Sequence, residues 1–397
     1  MLTRIAFRNI FRNRRRSAIT LAVIVFGAVG LILFGGYKAT TFNGLRESTI
    51  RRSGHLQLFG AGHSDIASQK PLEHGIESVE TLRREVERDP RVRTTAAQIT
   101  LMGLVSNGDK SETFLATAVE PEKDRAMQAT RLESGSDLQS SDQDAVLLGR
   151  GLAASMNVKP GDYLTLMTTT SAGSLNAIDV RIAGTFATGV RELDDRAVRM
   201  TLPAAQELLQ STKVEKLLVF LHETSRTEEV RSALAGPNVE IRSWSELASF
   251  YHQVVLLYNG IFGFLGLLVC GVVVFSVANT IMMSILERTR EVGTLVAIGT
   301  SRMRVWRMFF LEGLLTGVIG GVLGVVAGAL IALLINRSNV MLPPPPGFTV
   351  GYPLHILLES RALVLVFAIS LTTATASAIL PALRASRMRI VDALGHI

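Results

Sequence analysis

The chain has 397 residues, 41 Lys and Arg against 34 Asp and Glu, and a formal net charge of +7. Its charged fraction of 19% lies below the roughly 25% of ordinary soluble domains, and its mean hydropathy is positive, which excludes a wholly water-soluble globule. The single cysteine, Cys270, lies in an apolar stretch, which excludes an intrachain disulfide framework and a cysteine-built metal site.

Residues 1–16 carry Arg4, Arg8, Arg12, Arg14, Arg15 and Arg16. On a helical wheel Arg4, Arg8, Arg12 and Arg15 share one face, and Leu2, Ala6, Phe7, Ile10 and Phe11 cover most of the rest. The pattern predicts a helix lying in the headgroup layer, arginines toward phosphates. The same residues also serve as a plain topogenic charge cluster. Four apolar runs then reach the roughly 20 residues that cross a bilayer: 17–36, 254–286, 308–335 and 362–383. The first has no small-x-small cleavage site after its basic start and is expected to remain as a span. The second, if helical throughout, measures roughly 50 Å and is expected to project beyond the membrane as a stalk.

The excess arginine flanks these runs. It precedes the first, fills the segment 287–307 (Arg288, Arg290, Arg302, Arg304, Arg307), and follows the fourth in the tail 384–397 (Arg384, Arg387, Arg389). With four spans these pieces share one side, which the positive-inside rule makes the cytoplasm, with both termini. A basic folded face for nucleic acid is not what this distribution builds. Residues 37–253 and the Pro-rich loop 336–361 are then extracytoplasmic.

The outer segment reads as mixed α and β. Gly54–Gly60 predicts a strand, and Val79–Arg88 a helix ending at Asp89-Pro90. Leu101–Val105 and Thr113–Val119 form a hairpin about Asn107-Gly108. Ala145–Met156 is a strand end followed by a helix, and Pro160-Gly161-Asp162 turns into the strand Tyr163–Thr168. Asp179–Ala187 and Lys216–Leu221 are strands, and Pro203–Gln210 and Thr227–Leu234 are helices. The expected fold class is therefore a membrane α-helical protein of four transmembrane helices with an inserted extracytoplasmic α+β domain.

Between the second and third runs stands ERTREVGTLVAIGTSRMRVWRMFFLEG (Glu287–Gly313). Glu287–Ile298 predicts one short helix that Gly299 stops, with Thr300 or Ser301 capping the next. A plain connection needs only a few residues, so the length points to a surface helix that a soluble partner can grip. The third run carries Gly317, Gly320, Gly321, Gly324 and Gly328. Gly320, Gly324 and Gly328 make two successive GxxxG steps, a tight packing face within or between subunits. Glu312 enters the same run near its cytoplasmic end, within expected reach of Arg304 or Arg307, as an ion pair or as a functional intramembrane acid.

Catalytic signatures are absent from the chain: it has no G-x-x-x-x-G-K-[ST], no H-E-x-x-H and no G-x-S-x-G. The nearest imitation of a phosphate loop, Gly103–Ser111, reads as the hairpin. His55, His63, His74, His222 and His252 are scattered and make no metal site. The chain is therefore expected to bind no cofactor and to be no enzyme.

The pattern E-R-x-R-E-V-G-x-L-x-A-I-G, followed by basic residues and F-x-x-E-G, resembles the region after the second span in permeases of the MacB/FtsX type. LLGRGLAASMNVKPGDYLTL (147–166), FATGVRELDDRAVRM (186–200) and PALRASRMRIVDAL (381–394) are similar to further parts of that family. The outer domain and PPPPG (343–347) look most like its lipoprotein-releasing LolC/LolE branch. The resemblance implies a bacterial inner-membrane ABC transporter subunit working by mechanotransmission. Glu287, Arg288, Arg290, Glu291, Gly293, Leu295, Ala297, Ile298 and Gly299 would form its coupling helix. It implies a separate ATPase subunit holding ATP and Mg, a second permease copy or homologue, and surrounding lipid. Cargo would be a lipoprotein or another hydrophobic substrate. The alternatives within the family are efflux with a periplasmic adaptor and control of cell-wall hydrolases.

Overall fold

The computed structural model describes residues 14–62, 72–127, 131–236, 239–344, 347 and 349–387. The predicted interfacial helix lies outside them except for Arg14, Arg15 and Arg16, which open the first spanning helix, and most of the tail 384–397 lies outside them as well.

Helix α1 (Arg14–Ser53) leads into β1 (Leu56–Gly60), α2 (Val79–Val86), β2 (Val92–Ser106), β3 (Ser111–Val119), α3 (Pro121–Met127), β4 (Arg131–Gly135) and β5 (Ala145–Gly149). There follow α4 (Arg150–Met156), β6 (Tyr163–Thr169), β7 (Leu175–Ala187), α5 (Arg191–Asp194), β8 (Ala197–Thr201), α6 (Leu202–Leu209) and β9 (Lys216–Leu221). Helix α7 (Thr227–Leu234), β10 (Val239–Ser243) and α8 (Trp244–Leu247) complete this part. The long α9 (Ser249–Glu287), the short α10 (Thr289–Ala297), α11 (Arg302–Ser338), the two-residue strands β11 (Met341–Leu342) and β12 (Tyr352–Pro353), and α12 (Ser360–Ser386) end the described chain. Four of these helices, α1, α9, α11 and α12, are long and apolar enough to cross a membrane.

The helices outrun their apolar cores. Helix α1 passes Gly36 and continues to Ser53, because YKATTFNGLRESTIRRS contains no proline and places Glu47 on Arg51 one turn on, at 3.2 Å. It stops where Gly54 takes φ +70° and returns its N–H to the carbonyl of Ile50 at 2.8 Å. Helix α11 reaches Ser338, which shortens the loop expected at 336–361.

The chain forms two compact units. One holds α1 up to Asn43, Gln253–Met341 and the chain from Pro353 on; the other holds Gly44–His252 and Leu342–Tyr352. The second unit is built on one mixed sheet whose long strands serve several partners. Along one edge of β2, β9 pairs with Val92–Gln98 and β6 with Leu104–Ser106, while β3 takes the other edge. The pairing β2–β3–β8–β5–β7–β6 returns to β2, so six strands close on themselves. Alternate residues of these strands, including Leu101, Phe114, Val146, Leu164, Ile182 and Met200, turn into one apolar core capped by α4 and α6. Beside them β10–β1–β9–β2 forms an antiparallel wing, backed by Val86 of α2 and Val230 of α7. The predicted hairpin stands at Asn107, whose Oδ1 accepts the N–H groups of Asp109 and Lys110. This is a polar turn, and the phosphate-loop imitation there is the end of a β-hairpin.

In the first unit α11 packs on two neighbours at once. Phe309, Val305 and Met308 join Ile281 and Ile285 of α9 and Ala374, Ala378 and Ala382 of α12 in one cluster. Helix α9 is the least covered span: 11% of its most apolar window is buried, and Phe264, Leu267 and Phe275 lie open.

Candidate functional site

The segment between α9 and α11 holds one short helix, expected over Glu287–Ile298 and found over Thr289–Ala297, with Glu287 closing α9. The helical run breaks at Arg288, with φ −116° and ψ 17°. Thr289 accounts for the break, since its hydroxyl donates to the carbonyls of Ile285 and Leu286, both at 3.0 Å, and closes α9 locally. Helix α10 then runs Thr289–Ala297 and ends in a Schellman motif. Gly299 takes φ +94°, its N–H reaches the Val296 carbonyl, and the Thr300 N–H reaches the Leu295 carbonyl at 2.9 Å. Ser301 occupies the cap position of α11, but its backbone carbonyl, not its hydroxyl, receives the N–H groups of Arg304 and Val305.

Helix α10 is two-faced. Thr289, Val292 and Gly293 are buried, Val292 within the cluster of α9, α11 and α12. Glu287, Arg290, Glu291, Leu295, Ala297, Ile298 and Gly299 face outward, Ile298 with 76% of its surface open. Arg288 is half-buried and holds Glu291 at 2.8 Å. Glu287 is tied across the bundle to Arg16 of α1 at 2.7 Å, a contact that sequence distance conceals.

The glycines of α11 face two partners. A Cβ at Gly320 would come 2.8 Å from Ile24, at Gly324 2.5 Å from Ala28, and at Gly328 2.7 Å from Ile32, all on α1. A Cβ at Gly317 would come 3.0 Å from Ala374, at Gly321 3.0 Å from Phe367, and at Gly313 into Ala378, all on α12. Both faces are thus used inside one chain. The matching stripe Ser370, Ala374, Ser377, Ala378 and Ala382 on α12 was available as a sequence signal through its small residues at helical spacing.

Glu312 departs from expectation. It is 7% exposed, and among the described residues it has no ion pair with Arg304, Arg307 or any other cation. Arg304 and Arg307 are exposed, pointing off the bundle, and the Glu312 Oε1 accepts one long hydrogen bond from the Ser284 hydroxyl at 3.5 Å.

The other unit contains a cavity of about 890 Å³ on the outer face of the closed strands, with Met102, Leu115, Phe186 and Leu193 in its apolar wall. Arg199 of β8 pairs there with Asp124 of α3 at 2.8 Å, and its guanidinium lies 5.8 Å from the Phe186 ring centre. Burial raises the Asp124 carboxyl above the usual range, with Arg199 pulling against it. No site role was expected for either residue. The arginine between buried Val198 and Met200 was the available signal. Among the described residues no group of three or more His, Cys, Asp or Glu could hold a metal ion.

Residues 17–236 match the MacB-like periplasmic core domain, and 261–390 match the FtsX-like permease C-terminal region. Across 97% of this chain and 95% of theirs, it is 22% identical to the lipoprotein-releasing system transmembrane protein LolC of Xylella fastidiosa. It is 19% identical to LolE of Haemophilus influenzae over 76% of each chain. It is 26% identical to the macrolide export ATP-binding/permease protein MacB of Rhodopirellula baltica, over 66% of this chain and 35% of that one. The crystal structure of the MacB periplasmic region from Actinobacillus actinomycetemcomitans aligns with 51% of this chain and 95% of its own, at TM-score 0.37 and 12% identity. With one match spanning over half of the chain and the other most of the remainder, the chain belongs to the FtsX-like permeases with a MacB-like periplasmic core domain, the membrane-spanning subunits of ABC transporters of the MacB, FtsX and Lol type.

Proposed function

We propose that this permease releases lipoproteins, or exports a similarly hydrophobic cargo, by moving its extracytoplasmic domain as ATP turns over on a separate subunit. Glu287–Gly299 is the segment that the ATPase grips. It lies on the cytoplasmic side with both termini, and ATP and Mg reside on the ATPase. A second permease copy or a homologue completes the membrane unit, and the uncovered apolar side of α9 supports such a neighbour beside the lipid.

The observation that carries this reading is the outward face of α10. Leu295 and Ile298 stand open beside Glu291 and Arg290, between spans flanked by arginine. An apolar pair rimmed by opposite charges is the composition of a protein contact. For the cargo, the support is nearly complete coverage of LolC, against about a third of the MacB relative. A largely apolar cavity of about 890 Å³ in the outer unit is consistent with hydrophobic cargo.

The test is purification of the tagged protein in mild detergent, with identification of what accompanies it and measurement of its ATP turnover. An ATPase with bound lipoproteins supports release. A periplasmic adaptor in their place would favour efflux, cell-wall hydrolases would favour control of those enzymes, and absence of any ATPase would refute the central claim. Ile298→Ser should leave the protein in the membrane and lower coupled turnover by about tenfold, the effect of losing roughly 1.4 kcal/mol at a contact hot spot.

A further inference from the structure

Among the buried polar atoms without a partner in the described residues, the corner where α9, α10 and α11 meet holds Oε2 of Glu312 and three donors, Nη1 of Arg288, Nη1 of Arg16 and Nε1 of Trp306. Arg16 and Trp306 are not the charges that act on the buried acid, which leaves Arg288 and Glu312 as the pair. They carry opposite charge. Arg288 is the cation whose field acts on Glu312, yet the two do not touch. Arg288 spends its Nε on Glu291, 2.8 Å away, although the Glu291 side chain is 48% exposed and would be well hydrated alone. The buried acid therefore goes without a cation, and the solvated acid has one.

A buried, unpaired carboxylate is costly, and a cation beside it with a free buried N–H is its natural partner. Geometry permits the exchange. Arg288 is the single residue between two helices, and its carbonyl holds the Val292 N–H at 2.9 Å, so the backbone stays in place while the side chain swings. Glu291 is one turn into α10, and Glu312 is fixed on α11 against Ser284 of α9. A swing from one acid to the other breaks the Arg288–Glu291 pair and ties the α9–α10 joint to the third span.

We propose that Glu312 is a positioning residue for coupling: Arg288 exchanges between Glu291 on the coupling helix and Glu312 in the third span during the ATP cycle, and each partner fixes one setting of that helix. This rests on the coupling role proposed above for Glu287–Gly299. Two alternative ion pairs sharing one cation make a bistable element, which a partner can bias by binding Glu291 in only one of the two states.

The test uses the permease with its copurified ATPase in lipid nanodiscs. Glu291→Gln and Glu312→Gln keep side-chain volume, and size-exclusion elution with native subunit ratios reports folding. Each should slow ATP turnover by about tenfold, and Arg288→Glu by at least as much. The full reversal, Arg288→Glu with both Glu291→Arg and Glu312→Arg, should recover to within about threefold of the native rate, which additive structural damage would not do, whereas reversal of one acid alone should stay slow. Glu291→Gln slowing turnover while Glu312→Gln does not, or a full reversal no faster than Arg288→Glu alone, would overturn the exchange and leave coupling standing. If Glu291→Gln, Arg288→Glu and Ile298→Ser all turn over normally, the coupling role itself fails.

Discussion

His55 stands just after α1, and its ring is read by the backbone. Nδ1 accepts the Leu221 N–H at 3.1 Å, which leaves Nε2 to carry the proton toward the Thr224 hydroxyl, also at 3.1 Å. Burial, helped by the charge of Arg93, lowers its pKa to about 4. The unfolded chain takes up this proton near pH 6.5 and the folded one only near 4, so the unfolded state binds more protons between them. Stability from this group is complete above about pH 6.5 and is lost as pH falls toward 4, by about 3 kcal/mol over the full window. Trp306→Phe leaves Trp244 as the sole indole, and the Trp244 backbone N–H donates to the His55 carbonyl at 3.0 Å, so the fluorescence of that residue reports this region. Melting in detergent followed by that signal should drop between pH 7 and 4.5 and should depend less on pH in His55→Asn. Identical slopes in both proteins would refute the assignment. Gly299 makes a second residue-level case. A side chain there meets open space, so Gly299→Ala isolates the cost of φ +94°, about 1 kcal/mol, while Gly299→Asn should cost less. Equal losses of α10 hydrogen-exchange protection in the two variants would count against backbone strain as the cause.

At the scale of elements, α11 is the helix around which the spanning unit is organised, because its glycines admit α1 and α12 along two adjoining strips, Gly320, Gly324 and Gly328 for α1 and Gly313, Gly317 and Gly321 for α12. Adding one methyl at Gly324 brings it 2.5 Å from the Ala28 Cβ, inside van der Waals contact. Gly324→Ala should therefore destabilise the bundle by about 1–3 kcal/mol, and Ala28→Gly in the same chain should restore much of that loss. Thermal unfolding in detergent measures both, and strictly additive losses would deny the contact. The GxxxG steps were legible from spacing alone, whereas the partner of each face was not, since small residues mark close approach without naming the neighbour. The same limit governed the outer domain. Lys216–Leu221 and Thr227–Leu234 were readable to the residue from their apolar patterns. Strand β4, RLESG, is exposed throughout and has no pattern to read, and β2 begins at Val92 in threonine and alanine that carry little signal of their own. Between α9 and α11 the short helix and its stop at Gly299 were legible, but the break at Arg288 was hidden because it comes from a threonine hydroxyl bonding back along α9.

For the molecule as a whole, the chain visits the outer unit twice: through Gly44–His252, and again through Leu342–Tyr352 between α11 and α12. Proline and glycine announced a loop at the second visit, but its seat is made of backbone bonds, which no side chain advertises. The Arg191 N–H donates to the Gly347 carbonyl and the Thr349 N–H to the Gly189 carbonyl, each at 2.9 Å, a reciprocal pair like two rungs of a ladder. The strip it holds adjoins Thr188 and Leu193, which line the outer cavity. The Thr188 hydroxyl and N–H both donate to Asp194 Oδ1 at 2.7 Å, so the strip is braced from behind. Displacement of this loop therefore acts on the cavity wall through a short, stiff path. Thr349→Pro removes one donor and, by fixing its own φ, disturbs the seat of Gly347. Exchange of the Arg191 amide with deuterium should quicken by about tenfold, the loss of one net hydrogen bond, while the amides of α11 keep their native protection. An unchanged Arg191 amide would mean that the loop rests on the domain without holding it, and faster exchange throughout α11 would mean that the substitution had loosened the bundle instead.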